Sequence, residues 1–236
     1  DFTVDKGAII GTASPVISTW GNSWRGLEAL AQPHAVLLGV TLVGLTVILG
    51  ALYLINNVED TETENEMRRT VKITAIPFLV LFLTWVGILL CREGFAISSD
   101  GSVYMERYKY LHNLFEIPGL VAIFAVGVAG VLSGIWKGAM TSSRKGIWYA
   151  GAGTVLVVIS VFLLAGFNNT AYYPSNTDLQ SSLTILNSSS SRFTLQVMSI
   201  VSLLIPFVLA YIIYAWRQMD KKMITEDEIT QTEDKY

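Results

Sequence analysis

The sequence predicts an all-α protein, a polytopic integral membrane helix bundle of about five transmembrane helices, and three observations carry that reading. Only 15% of the residues are charged and 52% are hydrophobic, whereas soluble domains carry about 25% charged residues. Five apolar runs reach the roughly 20 residues that a helix needs to cross a hydrocarbon core about 30 Å thick. Their hydrophobicity extends all round rather than along one stripe, which suits lipid contact or deep burial.

Taken in order, residues 1–32 read as an outer-side segment with an interfacial helix, since Trp20 and Trp24 suit the headgroup level. Asp1 opens the chain with no signal pattern before it, as in a processed chain or a piece of a longer one. The first span is predicted over 33–55, with Pro33 in the first turn, where its missing N–H is no loss. The second covers 71–91 and contains Pro77. The acidic run EDTETENE at 59–66 before it reads as a solvated turn.

The third span is expected over 114–136. It contains Gly127, Gly130 and Gly134, of which Gly130 and Gly134 have the GxxxG spacing that lets two helix backbones approach closely; Ala125 and Ala129 extend the small-residue character, and a close-fitting cofactor is the other reading. Glu116 precedes Pro118, where a carboxylate would complement the positive end of a helix; a proton-relay role is the other reading. The fourth span covers 147–167 and the fifth 193–216, where Pro206 suggests a kink. Together 33–216 form the five-helix transmembrane bundle, and 217–236 a charged tail in which Thr225 and Glu228 have capping-box spacing.

Sidedness follows from the basic residues. Six lie in the amino-terminal segment and the second and fourth loops, ten in the first and third loops and the tail. The positive-inside rule then puts the carboxy terminus in the cytoplasm. Ser190, Ser191 and Thr194 are candidate caps for the last span, which must satisfy its first N–H groups at the membrane surface. The sequons at Asn168 and Asn187 matter only in a secretory pathway.

Several function classes are excluded or disfavoured. A net charge of -3 leaves no basic excess for a phosphate backbone, so no nucleic acid is expected as partner. Cys91 alone forms no internal disulfide, and one thiol with two histidines cannot complete a four-ligand zinc site, so no metal site is expected. His34 and His112 are the available imidazoles for a heme iron, both near the outer ends of spans. With Glu116 they are the candidate cofactor-binding residues, and no catalytic residue is assigned. Ion-coupled transporters carry ionisable groups or broken helices at mid-membrane, and no span holds a charge in its middle.

The loop before the last span is the most specific stretch. Pro174-Ser175, Ser182-Leu183-Thr184, Ser189-Ser190-Ser191 and the run Thr194-Leu195-Gln196-Val197-Met198 lead into the final helix and the tail segment ITEDEI. This progression resembles the carboxy-terminal part of subunit II of cytochrome bd-type ubiquinol or menaquinol oxidases. The segment from Trp20 through the first span and HNLFEIPGL before the third are similar to points in the family's second half. Family members have further spans before this region, so the chain would be a fragment or one part of a split subunit.

The resemblance implies a multi-pass subunit of the respiratory chain in the bacterial cytoplasmic (inner) membrane. It implies a quinol:oxygen oxidoreductase complex that oxidises quinol and reduces oxygen to water. Hemes b and d would sit in the partner, subunit I, and none in this chain, whose role would be assembly and stability of the heme-bearing subunit. The alternative reading is half of a membrane transporter with a substrate path between helices.

Overall fold

The structure, a computed structural model, describes residues 1–5 and 17–219. Five helical segments among them are long and apolar enough to cross a membrane. They are α1 (Pro33–Asn57), α2 (Thr61–Cys91), α4 (Leu120–Met140), α5 (Gly146–Gly166) and the stretch Arg192–Met219, which is broken into α7 (Arg192–Ser202) and α8 (Ile205–Met219). The chain is thus a multi-pass membrane protein.

Four of the five close on one another. α1 and α2 pair as a hairpin, α4 and α5 as a second, and the two hairpins share a core of Ile48, Leu52, Ile55, Val71, Phe78 and Ile135. The α4–α5 seam is built from small residues. A β-carbon placed on Gly134 would stand 2.5 Å from the Ala150 β-carbon, and one on Gly153 would stand 2.5 Å from the Val131 nitrogen. The glycine spacing therefore serves backbone approach, as expected. In the last span no residue is buried, so the bundle is four helices with a fifth beside it.

Helix ends depart from the sequence expectation in three places. The acidic run is helical: Asp60 is the N-cap of α2 and its carboxylate accepts from Glu62 N at 3.3 Å and Thr63 N at 2.7 Å. Acids in a first turn complement the positive helix end, so charge that looked like a solvated turn starts the helix instead. Glu116 closes the short helix α3 (Lys109–Glu116), and a turn through Pro118 and Gly119 (φ 77°) separates it from α4. It is therefore not in the first turn of a span, and the dipole argument made for it fails. Pro206 does more than kink: its ring and missing N–H break the helix at Leu203–Leu204.

Outside the spans the chain carries short strands that hydropathy did not signal. β1 (Phe2–Asp5) pairs antiparallel with β2 (Ile17–Trp20), and β3 (Gly94–Ile97) with β4 (Val103–Glu106). Among the described residues of the first 32, the helical element is a five-residue 3-10 turn, Leu27–Ala31. The capping box at Thr225 lies outside the described residues.

Candidate functional site

Both strand pairs, β1–β2 and β3–β4, and the 168–192 loop gather at one end of the bundle, at the start of α1 and the end of α2. The loop is sewn to β3 by Ile97 N–H donating to Asn169 O at 2.9 Å and Ala171 N–H donating to Phe95 O at 2.9 Å. Gln180 copies a strand partner with its side chain, accepting from Val103 N at 3.0 Å and donating to Val103 O at 2.9 Å. Hydroxyls fasten the amino-terminal strand: Ser175 Oγ donates to Phe2 O, and Val4 N–H donates to Ser181 Oγ at 2.9 Å.

Asn113, fully buried, ties this cap to the spans. Its Nδ2 donates to Leu164 O at 2.9 Å and to Thr170 Oγ1 at 2.8 Å, while its Oδ1 accepts from Asn168 Nδ2 at 3.1 Å. A buried amide with both ends satisfied fixes one arrangement of the elements around it. Glu116 joins the same network, accepting from Asn168 Nδ2 at 2.7 Å.

His112 lies on α3, half-exposed, with Nδ1 2.8 Å from Glu106 Oε1; the buried Lys109 reaches the other oxygen of that carboxylate at 3.6 Å. His34 stacks on Trp85 of α2, ring centroids 5.4 Å apart and planes at 27°, with Nδ1 3.5 Å from Arg92 Nη1. Each imidazole is thus held by its own neighbours, with no contact partner in common. Among the described residues no group of three or more His, Cys, Asp or Glu side chains is placed to hold a metal ion.

Below the His34–Trp85 stack a cavity of about 380 Å³ opens between α1, α2, α4 and α5. Leu42, Leu45, Phe82, Val128, Leu132 and Val158 are among its walls. At the opposite end of the bundle Arg68 donates to Gly138 O at 2.8 Å, to Thr141 O and to Glu64 Oε1, while Glu64 Oε2 accepts from Arg144 at 2.8 Å. This staple joins the start of α2 to the α4–α5 turn.

A family profile described as cytochrome bd terminal oxidase subunit II matches residues 6–219. The chain belongs to that family. It is 30% identical over 216 residues to the cytochrome bd-I ubiquinol oxidase subunit 2 of Escherichia coli strain K12, covering 84% of this chain and 55% of that protein. The counterpart from Escherichia coli O157:H7 matches with the same figures. The chain therefore spans about half the length of the curated relatives it matches.

The residues that carried the family resemblance are the ones that wire the cap of this subunit II chain. Ser175 N–H donates to Ser182 Oγ at 3.0 Å, and Thr184 with Asn187 forms a reciprocal capping box, 2.7 and 3.1 Å, at the start of the short helix α6 (Ile185–Ser188). Ser191 is the N-cap of α7, accepting from Thr194 N at 3.3 Å. Of the expected caps Ser191 takes the role, and Thr194 supplies the N–H it receives. Asn113, Trp85 and the Glu64–Arg68–Arg144 staple were not singled out from sequence. Asn113 lies within HNLFEIPGL, so that stretch held a signal, but a tryptophan inside an apolar run carries none.

Proposed function

We propose that this chain is a heme-free accessory part of a cytochrome bd-type membrane quinol:oxygen oxidoreductase, supporting the assembly and stability of heme-bearing subunit I. In this reading the complex oxidises quinol and reduces oxygen, hemes b and d belong to subunit I, and His34, His112 and Glu116 have no ligand role. The carboxy terminus is cytoplasmic and the serine-wired cap faces outward, in the bacterial inner membrane. The Arg68–Arg144 end agrees with that sidedness.

One observation supports the accessory role above the others: the last span has no buried residue, while the other four close on each other. Phe193, Ile200, Phe207 and Tyr211 are all more than two-thirds exposed. In lipid, association rests on close packing and interhelical polar contacts rather than on water expulsion. A helix that packs on none of its own chain is free to pack on another, and subunit I is the partner this reading names.

A transporter half would need polar or ionisable groups facing a path at depth. The buried hydroxyls inside the spans turn back on their own helices: Thr41 Oγ1 donates to Leu37 O at 2.7 Å and Ser160 Oγ to Leu156 O at 2.8 Å. Mild detergent extraction tests the proposal. The expected result is co-purification with a heme-rich partner of comparable size that absorbs in the red from a chlorin-type heme. A lone, colourless and stable oligomer overturns it.

A further inference from the structure

We infer that the cavity among α1, α2, α4 and α5 seats one acyl chain of a membrane glycerophospholipid, whose ester carbonyl accepts a hydrogen bond from the Trp85 indole. The inference is independent of the oxidase reading, since it rests on donors left without acceptors. Trp85 lines the cavity and is 4% exposed, and its Nε1 has no hydrogen-bond partner among the described residues. A buried N–H without an acceptor costs free energy, so such a group calls for a ligand atom or a water. The cavity walls are almost wholly apolar, which offers a water too few partners to hold it.

The neighbouring groups define the ligand's chemistry. Arg92 carries donors only, so the His34 Nδ1 that faces it at 3.5 Å accepts, and the neutral ring keeps its proton on Nε2. That Nε2 is also buried and without a partner. Arg92 itself forms no ion pair among the described residues, and its side-chain hydrogen bond there is to His34. One ladder thus presents a guanidinium at the bundle end, two unpaired N–H donors beneath it, and an apolar chamber below. From Arg92 to Trp85 the helix descends about 10 Å, at ~1.5 Å per residue.

Phosphodiester, ester carbonyl and hydrocarbon are the matching sequence of groups, acceptors only and with a negative charge at the top. An isoprenoid quinone would satisfy the N–H donors but brings no charge to Arg92. The chamber of about 380 Å³ lies within the range of small-molecule sites, about 300–1,000 Å³, and the open side lets a two-tailed lipid leave its second chain in the bilayer.

The test is lipid binding to the delipidated complex by native mass spectrometry. Four probes separate the sources: a diester phosphatidylglycerol, its diether analogue without carbonyls, a diacylglycerol without phosphate, and decylubiquinone. The expected result is one diester lipid per chain, with the diether and the diacylglycerol each held about tenfold more weakly, the worth of one buried hydrogen bond or ion contact. Trp85→Phe lowers diester affinity by the same factor and leaves diether affinity unchanged. Equal binding of diester and diether lipids to the unaltered chain overturns the inference without any variant. So does displacement of the diester lipid by decylubiquinone at equal concentration, or unchanged diester binding in Trp85→Phe.

Discussion

Gly130 on α4 and Gly153 on α5 leave no room for a methyl group between them: a β-carbon on Gly130 would stand 2.9 Å from the Gly153 α-carbon. Gly87 on α2 has open space in the same position. The two sites respond to alanine in opposite ways. Gly130→Ala forces the α4–α5 seam apart and destabilises by about 1–3 kcal/mol, the usual cost of overpacking. Gly87→Ala is neutral or stabilises by up to about 1 kcal/mol through helix propensity. Thermal melts of the two variants in one detergent check the contrast.

Arg68 makes the second prediction. Its side chain is 13% exposed and bonds both the carbonyls that end α4 and the Glu64 carboxylate. Arg68→Ala leaves those carbonyls and half of Glu64 unpaired, at a cost of about 2–4 kcal/mol for charge-assisted bonds. Arg68→Lys recovers little, because an ammonium cannot serve a carboxylate and several carbonyls in one planar fork. Chemical denaturation with the three proteins side by side reads the order.

The five spans were legible because hydropathy over twenty residues is a long, additive signal that tertiary context seldom overturns. The cap was not, because β3 and β4 have four residues each and their pair is completed by distant partners such as Thr170 and Gln180. Asp60 hid the start of α2 for a related reason: a capping acid and a solvated acid look alike until the N–H groups it caps are seen. At the candidate site His34 and His112 stood out by residue type. Trp85, which changes what His34 can do, reads as one more apolar residue in a span.

Asn113 carries a third prediction. Replacing it with leucine removes the Asn113 bonds to Thr170 Oγ1 and to the Asn168 amide, leaving Thr170 Oγ1 its 3.2 Å bond to Asn168 O and Asn168 Nδ2 its bond to Glu116, at a total cost of about 1–3 kcal/mol. Since those partners begin the 168–192 loop, the loss falls on the cap rather than on the α4–α5 seam. Limited proteolysis should cut Asn113→Leu within 168–192 at protease levels that leave the parent intact.

Alkaline pH bears on Tyr110, whose hydroxyl burial pushes above the usual tyrosine range. A folded value above the unfolded one means the stabilising contribution is complete below the unfolded value of about 10 and is lost as pH rises through the folded value. One tyrosine should therefore ionise only as the cap opens, seen as a late step in an ultraviolet titration. Tyr110→Phe removes that step and flattens the alkaline fall in stability.

The break between α7 and α8 offers the sharpest separation of stability from assembly. Pro206 lacks an N–H, and its ring would clash with the carbonyl of Ser202, so the span turns at Leu203–Leu204 instead of running straight. Pro206→Ala permits one continuous helix over Arg192–Met219 and re-aims every side chain of α8 relative to α7. Because no residue of this span is buried against the other four helices, the melting point of the isolated chain should not move. If α8 packs on a partner, the re-aimed face meets it out of register, and recovery of the heme-bearing subunit after detergent extraction should fall several-fold. A variant that melts lower but retains its partner would reverse the assignment, making the break a device of this chain's own stability.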